Sequence, residues 1–178
     1  MSASTHSLAR SSSRKEGQIV AETKITAPAG VPFVDIEREF DFPRQLVFRA
    51  YSEPELIKQW LGPRRLEMII DRWDEHGYRY VHRDTAGNEF GFHGAFHGPM
   101  TIDGGTQTFE FEGVPGHISL DTLVLEDHGD RTVVRTHSTF QSVADRDGMV
   151  QAGMASGVTE GYERLDDVLA KLGAMAPV

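Results

Sequence analysis

Ser142–Leu172, SVADRDGMVQAGMASGVTEGYERLDDVLAKL, is the stretch whose reading decides the fold. Val150, Met154, Val158, Gly161, Leu165, Val168 and Leu172 recur at steps of three and four, which predicts one apolar stripe along an α-helix. Ser142 three residues before Asp145 is a start signal, and Gly173 after Lys171-Leu172 is a stop signal. At 1.5 Å per residue, such a helix would be roughly 40 Å long, enough to cross a small domain. Beside the stripe runs a second row, Gly153, Gly157 and Gly161, one turn apart. Each helical glycine costs about 1 kcal/mol relative to alanine, so three in register need a reason. Removing Cβ either lets another surface approach or leaves empty space. The helix is therefore expected to lie over a β-sheet, thinned beside a cavity.

Working outward, the preceding residues change period. Phe33–Phe40 alternates, with Val34, Ile36, Arg38 and Phe40 on one face and Asp35, Glu37 and Glu39 on the other. Asp41-Phe42-Pro43 opens a helical section with Leu46, Val47 and Ala50 as its buried face. Ser52-Glu53-Pro54-Glu55 reads as the capped start of a second short helix, which ends near Trp60 before Gly62-Pro63. From Arg65 to Phe140 the period is two, interrupted by turns at His76-Gly77, Asp84–Asn88, Gly104-Gly105, Val114–Gly116 and His128–Asp130. Short turns between consecutive strands, then a long helix, give an α+β order with an antiparallel sheet. Residues 1–30 are expected to be a flexible, Ser-rich tail, with an optional edge strand over 18–26, and residues 31–176 a single domain.

Composition narrows the function. The chain has 178 residues and no cysteine, which excludes disulfides, thiol catalysis and thiolate metal sites. A net charge of −9 argues against a nucleic-acid surface. No run of 18 apolar residues is present, and no apolar segment follows Arg10, Arg14 and Lys15, so a cytoplasmic protein without membrane span is expected.

Several blocks carry a resemblance. Strand, paired short helices, antiparallel meander and closing helix is the order of the helix-grip fold of the START-like, or SRPBCC, superfamily. Phe40-Asp41-Phe42-Pro43-Arg44-Gln45-Leu46-Val47-Phe48, Pro54-Glu55-Leu56 and Trp60-Leu61-Gly62-Pro63 resemble the opening signature of one branch. Gly87–Gly94, and Asp145–Met149 through Gly153-Met154 to Gly157, resemble its later blocks. That branch is named for homology to the activator of a heat-shock chaperone's ATPase. The likeness covers roughly residues 33–172. It implies a curved antiparallel sheet with two short helices, and one long C-terminal helix over an apolar cavity. It further implies a hydrophobic ligand, lipid-like or polyketide-like, and transfers no catalytic residue.

The strand parities name the expected cavity lining. From the first strand and the helices come Arg38, Phe40 and Trp60. The meander contributes Met68, Ile70, Tyr80, His82, Phe90, Phe92 and Phe96, then Phe109, Phe111 and Phe140. Met149, Met154 and Val158 would close it from the helix. Aromatic and Met-rich walls suit a flat or variable apolar ligand, although such stripes also simply fill cores. Arg38 reads as a cavity cation or as a buried pair with a carboxylate. Trp60 reads as a gate or as an anchor. His82 is the one inward histidine near neutral pKa, a proton carrier or a core hydrogen-bonder. Asp71 and Glu110 fall outward by parity. His93 and His97 share a face but lie about 13 Å apart on a strand, so no metal and no cofactor is expected. The leading expectation is binding of a hydrophobic small molecule. Its rivals are an enzyme of cyclase or hydrolase type acting on such a ligand, and a co-chaperone-like interaction module.

Overall fold

A computed structural model describes residues 21–175. The sheet is built outward from its best-defined pair. In β2 (Phe33–Phe40) the residues Val34, Ile36, Arg38 and Phe40 are all buried, and β8 (Thr132–Phe140) pairs with it antiparallel, Ile36 opposite Thr136. On the far side of β2, β1 (Lys24–Thr26) adds a three-residue edge strand with Ile25 opposite Ile36. Of the strand expected over 18–26, residues 24–26 form β1 and residues 21–23 do not; residues 18–20 lie outside the described residues.

The chain then leaves the sheet as α1 (Arg44–Ser52) and α2 (Pro54–Trp60) and re-enters at the opposite edge as β3 (Glu67–Trp73). β4 (Gly77–Arg83), β5 (Glu89–Ala95), β6 (Gly104–Phe111) and β7 (Ile118–Asp127) lead back to β8 as a meander. The result is one eight-stranded antiparallel sheet in the order β1-β2-β8-β7-β6-β5-β4-β3. Ser52 does not cap α2 as its spacing suggested. It is the last residue of α1, and its hydroxyl donates to the Phe48 carbonyl at 2.8 Å; Glu53 stands at the cap position and Pro54 occupies the first turn.

The terminal stretch differs from the single rod that its periodicity predicts. It forms α3 (Val143–Gln151) and α4 (Met154–Met175), broken at Ala152-Gly153. Gly153 sits at φ +91°, a left-handed conformation that ends one helix and turns the next. Ser142 caps α3 as expected, accepting from the Asp145 amide at 3.1 Å. Gly173 does not stop α4, which continues to Met175. The stripe is also interrupted: Val150 is 37% exposed, and α3 instead buries Arg146 at 3%, which donates to the Pro28 carbonyl at 2.7 Å.

The three glycines separate by role. Gly153 makes the break. At Gly161 a Cβ would sit 3.2 Å from the Trp60 carbonyl oxygen, so the missing side chain lets α4 press against the end of α2. At Gly157 a Cβ would meet nothing within 4 Å, so there is open space beside the helix.

The main core lies at one end of the covered face. Val34, Phe40, Leu125 and Val134 of the sheet meet Val47 and Ala50 of α1 and Tyr162, Leu165, Val168 and Leu169 of α4. The outer face is ion-paired: Asp35 with His137 at 2.6 Å, Glu126 with Arg135 at 2.7 Å, and Glu112 with Arg79 at 2.7 Å.

Candidate functional site

Cross-strand register carries the covered face from this core across to β3. Opposed residues share a face, so the run Ser138, Asp121 and Gln107 crosses β8, β7 and β6 on the covered side. Phe111, Phe92, Tyr80 and Ile70 cross β6 to β3 in the same way. A second buried cluster forms here from Met68, Tyr78 and Tyr80 with Ile57 of α2, joined by Leu61, Ile70, Trp73, Phe92 and Phe96. Among the described residues it includes none from α3 or α4. Of the helices only α2 contributes to this cluster, with Leu61 just after it, whereas α4 packs in the main core with α1.

The aromatic floor is continuous. Phe92 stacks on Tyr80 at 5.2 Å and on Phe109 at 5.5 Å, and lies 5.1 Å from Phe111. Tyr78 packs 5.4 Å from Phe96 and 5.3 Å from Trp73. Phe92, Phe96, Phe109 and Phe111 are only half-buried although they face the covered side, and Phe90 marks the open rim. Met149, Met154 and Val158 lie at the border of the main core, half-buried.

Of the residues expected to line a cavity, Met68, Ile70, Tyr80, His82, Phe90, Phe92, Phe96, Phe109 and Phe111 share this floor. Phe40, Phe140 and Trp60 instead fill the main core. Trp60 is an anchor: it is 4% exposed, its indole donates to the Ala50 carbonyl at 2.9 Å, and its ring lies 4.7 Å from Tyr51. Arg38 is likewise a core residue rather than a free cation. At 2% exposure it pairs with Asp166 of α4, donates to the Thr23 hydroxyl at 3.1 Å and lies 5.1 Å over the Phe40 ring.

His82 is held at the edge of the floor. Its Nε2 lies 3.1 Å from the Leu61 carbonyl, an acceptor only, which assigns the proton to that nitrogen. Burial lowers its pKa, partly offset by this hydrogen bond, so the ring is neutral and tied to the end of α2. Gly62, at φ +95°, lies against it: a Cβ there would be 2.4 Å from the imidazole.

The sequence reading missed the polar centre of this face. Asp121 stands opposite both Gln107 and Ser138, and its Oδ1 accepts from the Ser119 hydroxyl at 3.0 Å. Burial pushes its pKa up, with Ser138 and Ser119 pulling it back. Gln107 donates to the Tyr78 phenol at 3.3 Å, and that phenol donates to the Thr108 carbonyl at 2.9 Å. Burial raises the pKa of both Tyr78 and Tyr80, and the Asp121 charge adds to it, so both phenols stay neutral. In β7 both parities are half apolar, Ile118, Leu120 and Val124 against Leu123 and Leu125. Sequence alternation therefore could not assign Asp121 to a face; its pairing does. Asp71 and Glu110 point outward as expected, to Arg79 and to His93 at 3.0 Å.

No group of three potential metal ligands occurs among the described residues, and none of their helices is long and apolar enough to cross a membrane. A separate recess of about 280 Å³ opens between α2 and α4, lined by Gln59, Arg64, Arg164, Asp167, Val168 and Lys171. Two of its cations are already engaged, Arg164 with the Gly62 carbonyl at 2.8 Å and Arg64 with Asp167 at 3.1 Å.

Solved structures share the architecture. A protein from Arthrobacter aurescens is 22% identical, with 83% of this chain and 91% of that chain covered and a TM-score of 0.76. One from Rhodobacter sphaeroides is also 22% identical, covering 84% and 99%, with the same TM-score of 0.76. An AHSA1 protein from Silicibacter pomeroyi is 19% identical, covering 78% and 97%, with a TM-score of 0.63. At these identities the likeness is one of fold, the helix-grip arrangement of sheet and terminal helix. No curated protein matched the chain. The family model described as "Activator of Hsp90 ATPase homolog 1-like protein" matches residues 41–170, from the start of the paired helices to within the last turns of α4. The chain belongs to the Activator of Hsp90 ATPase homolog 1-like family.

Proposed function

We propose that the protein binds a flat hydrophobic small molecule against the aromatic floor of β4–β6. The observation that carries this reading is the separation between floor and roof. Phe92, Phe96, Phe109 and Phe111 face the covered side and stay half-buried, and no α3 or α4 residue joins the cluster that holds Phe92 and Phe96. Ring edges left partly wet on a sheet's inner face are apolar area that a planar ligand would remove from water, at about 25 cal/mol per Å². At the border of the main core the α3–α4 junction carries two adaptable methionines, Met149 and Met154, and a Cβ at Gly157 would meet nothing within 4 Å. Native mass spectrometry of freshly purified protein, with Nile red displacement as the solution assay, tests it. Bound adducts or saturable displacement by aromatic compounds are expected. Nile red fluorescence unchanged by protein, together with no adduct, would overturn the reading.

A further inference from the structure

The most unusual group on the covered face is Asp121. It lies in mid-strand, flanked across the sheet by Gln107 and Ser138, on the face that also carries Phe109 and Leu125. A carboxylate on an inner face is ordinarily matched by a cation, as Arg38 is by Asp166. Asp121 forms no ion pair among the described residues. Arg38, a cation on the same face, is engaged by Asp166 and Thr23. An ionised carboxylate offers about four lone-pair sites. The Ser119 hydroxyl fills one at 3.0 Å, and the Ser138 side chain lies directly across.

Resting on the ligand-binding reading above, we infer that Asp121 is the polar anchor of the groove, selecting flat aromatic ligands that carry a hydrogen-bond donor such as a phenol or an amine. The donor would lie toward β7, where Asp121 accepts it, while the ring covers Phe92 and Phe109. The neighbouring phenol of Tyr78 is committed to the Thr108 carbonyl, and the Gln107 amide donates to Tyr78 and makes no hydrogen bond to Asp121 among the described residues. An anionic ligand is disfavoured by the same charge. If Asp121 only organised the strands through its serine bonds, ligand choice would be indifferent to it.

Isothermal titration of 2-naphthol against 2-methoxynaphthalene reads the difference, because the two share the ring and differ in the donor. For the unaltered protein 2-naphthol is expected to bind about tenfold more tightly, the scale of one hydrogen bond to a charged acceptor. In Asp121→Leu the preference is expected to fall to about one, and in Asp121→Asn to an intermediate value; circular dichroism and thermal unfolding confirm that both variants fold. Equal binding of the two ligands by the unaltered protein overturns the anchor while leaving the groove. A preference that survives in Asp121→Leu also overturns it. Binding of neither ligand overturns both the anchor and the groove.

Discussion

At the scale of single residues, the covered face contrasts two kinds of buried polar group. Arg38, Trp60 and His82 each donate to a fixed acceptor, a carboxylate, a carbonyl and a carbonyl, while the buried Arg38 Nε has no partner among the described residues. Asp121 accepts from serine hydroxyls but pairs with no cation among the described residues. Burial raises its pKa above the ordinary carboxylate value despite two serine neighbours. Between the unfolded value near 3.9 and that raised value, the folded state holds more protons than the unfolded chain. Stability therefore falls as pH rises through this window, and the loss persists at neutral pH. Asp121→Asn removes the charge and keeps an acceptor, so its melting temperature at pH 7 is expected to exceed that of the unaltered protein. The gap should close as pH drops through the window. A lower melting temperature at pH 7 would mean that the carboxylate is structural. None of this was legible from sequence, because a single aspartate in a strand of mixed parity has no face until a partner strand supplies one.

At the scale of elements, the terminal stretch shows what periodicity does and does not carry. Helix, start and apolar face of the second half were all readable in Ser142, Leu165 and Val168. The break was not, since a glycine in a helical pattern is compatible with either a close approach or a left-handed turn. Gly153 takes the turn and Gly161 the approach. Gly161→Ala is expected to destabilise by about 1–2 kcal/mol in urea unfolding, because the new methyl would press on the Trp60 carbonyl and part α4 from α2. Gly157→Ala, with open space around its Cβ, is expected to stabilise by about 0.5–1 kcal/mol through helix propensity. If both substitutions moved stability the same way, the distinction between the two glycines would fail. The capping of α2 shows a similar limit. Ser52 fits a cap by spacing, but α1 runs on through it, and its hydroxyl turns back to Phe48.

At the scale of the whole molecule, the sheet is closed at one end and open at the other. α1, α2 and the second half of α4 meet over β2, β8 and β7, while α2 is the helix that joins the aromatic cluster of β3–β5. The Arg38–Asp166 pair fastens α4 to β2 within the closed end. Asp166→Asn leaves the guanidinium buried without a counter-charge. A loss of about 2–3 kcal/mol in unfolding free energy is expected, below the 3–5 of a fully buried pair because the Asp166 side chain is 35% exposed. Unchanged stability would show that α4 is held by apolar packing alone.

The amino-acid sequence by itself determined the element order apart from the break between α3 and α4, the antiparallel meander and most covered-face residues of the outer strands, because alternation and helical period are local properties of the chain. It also carried the family, through blocks such as Phe40–Phe48 and Trp60–Pro63. The tertiary structure alone decided which covered residues become core and which become floor. Phe40 and Phe92 are indistinguishable as alternating aromatics, yet one lies under Tyr162 of α4 and the other under no residue of the terminal helices in its cluster. That difference depends on where a helix roughly a hundred residues further along the chain comes to rest, a contact between distant segments that no local pattern encodes.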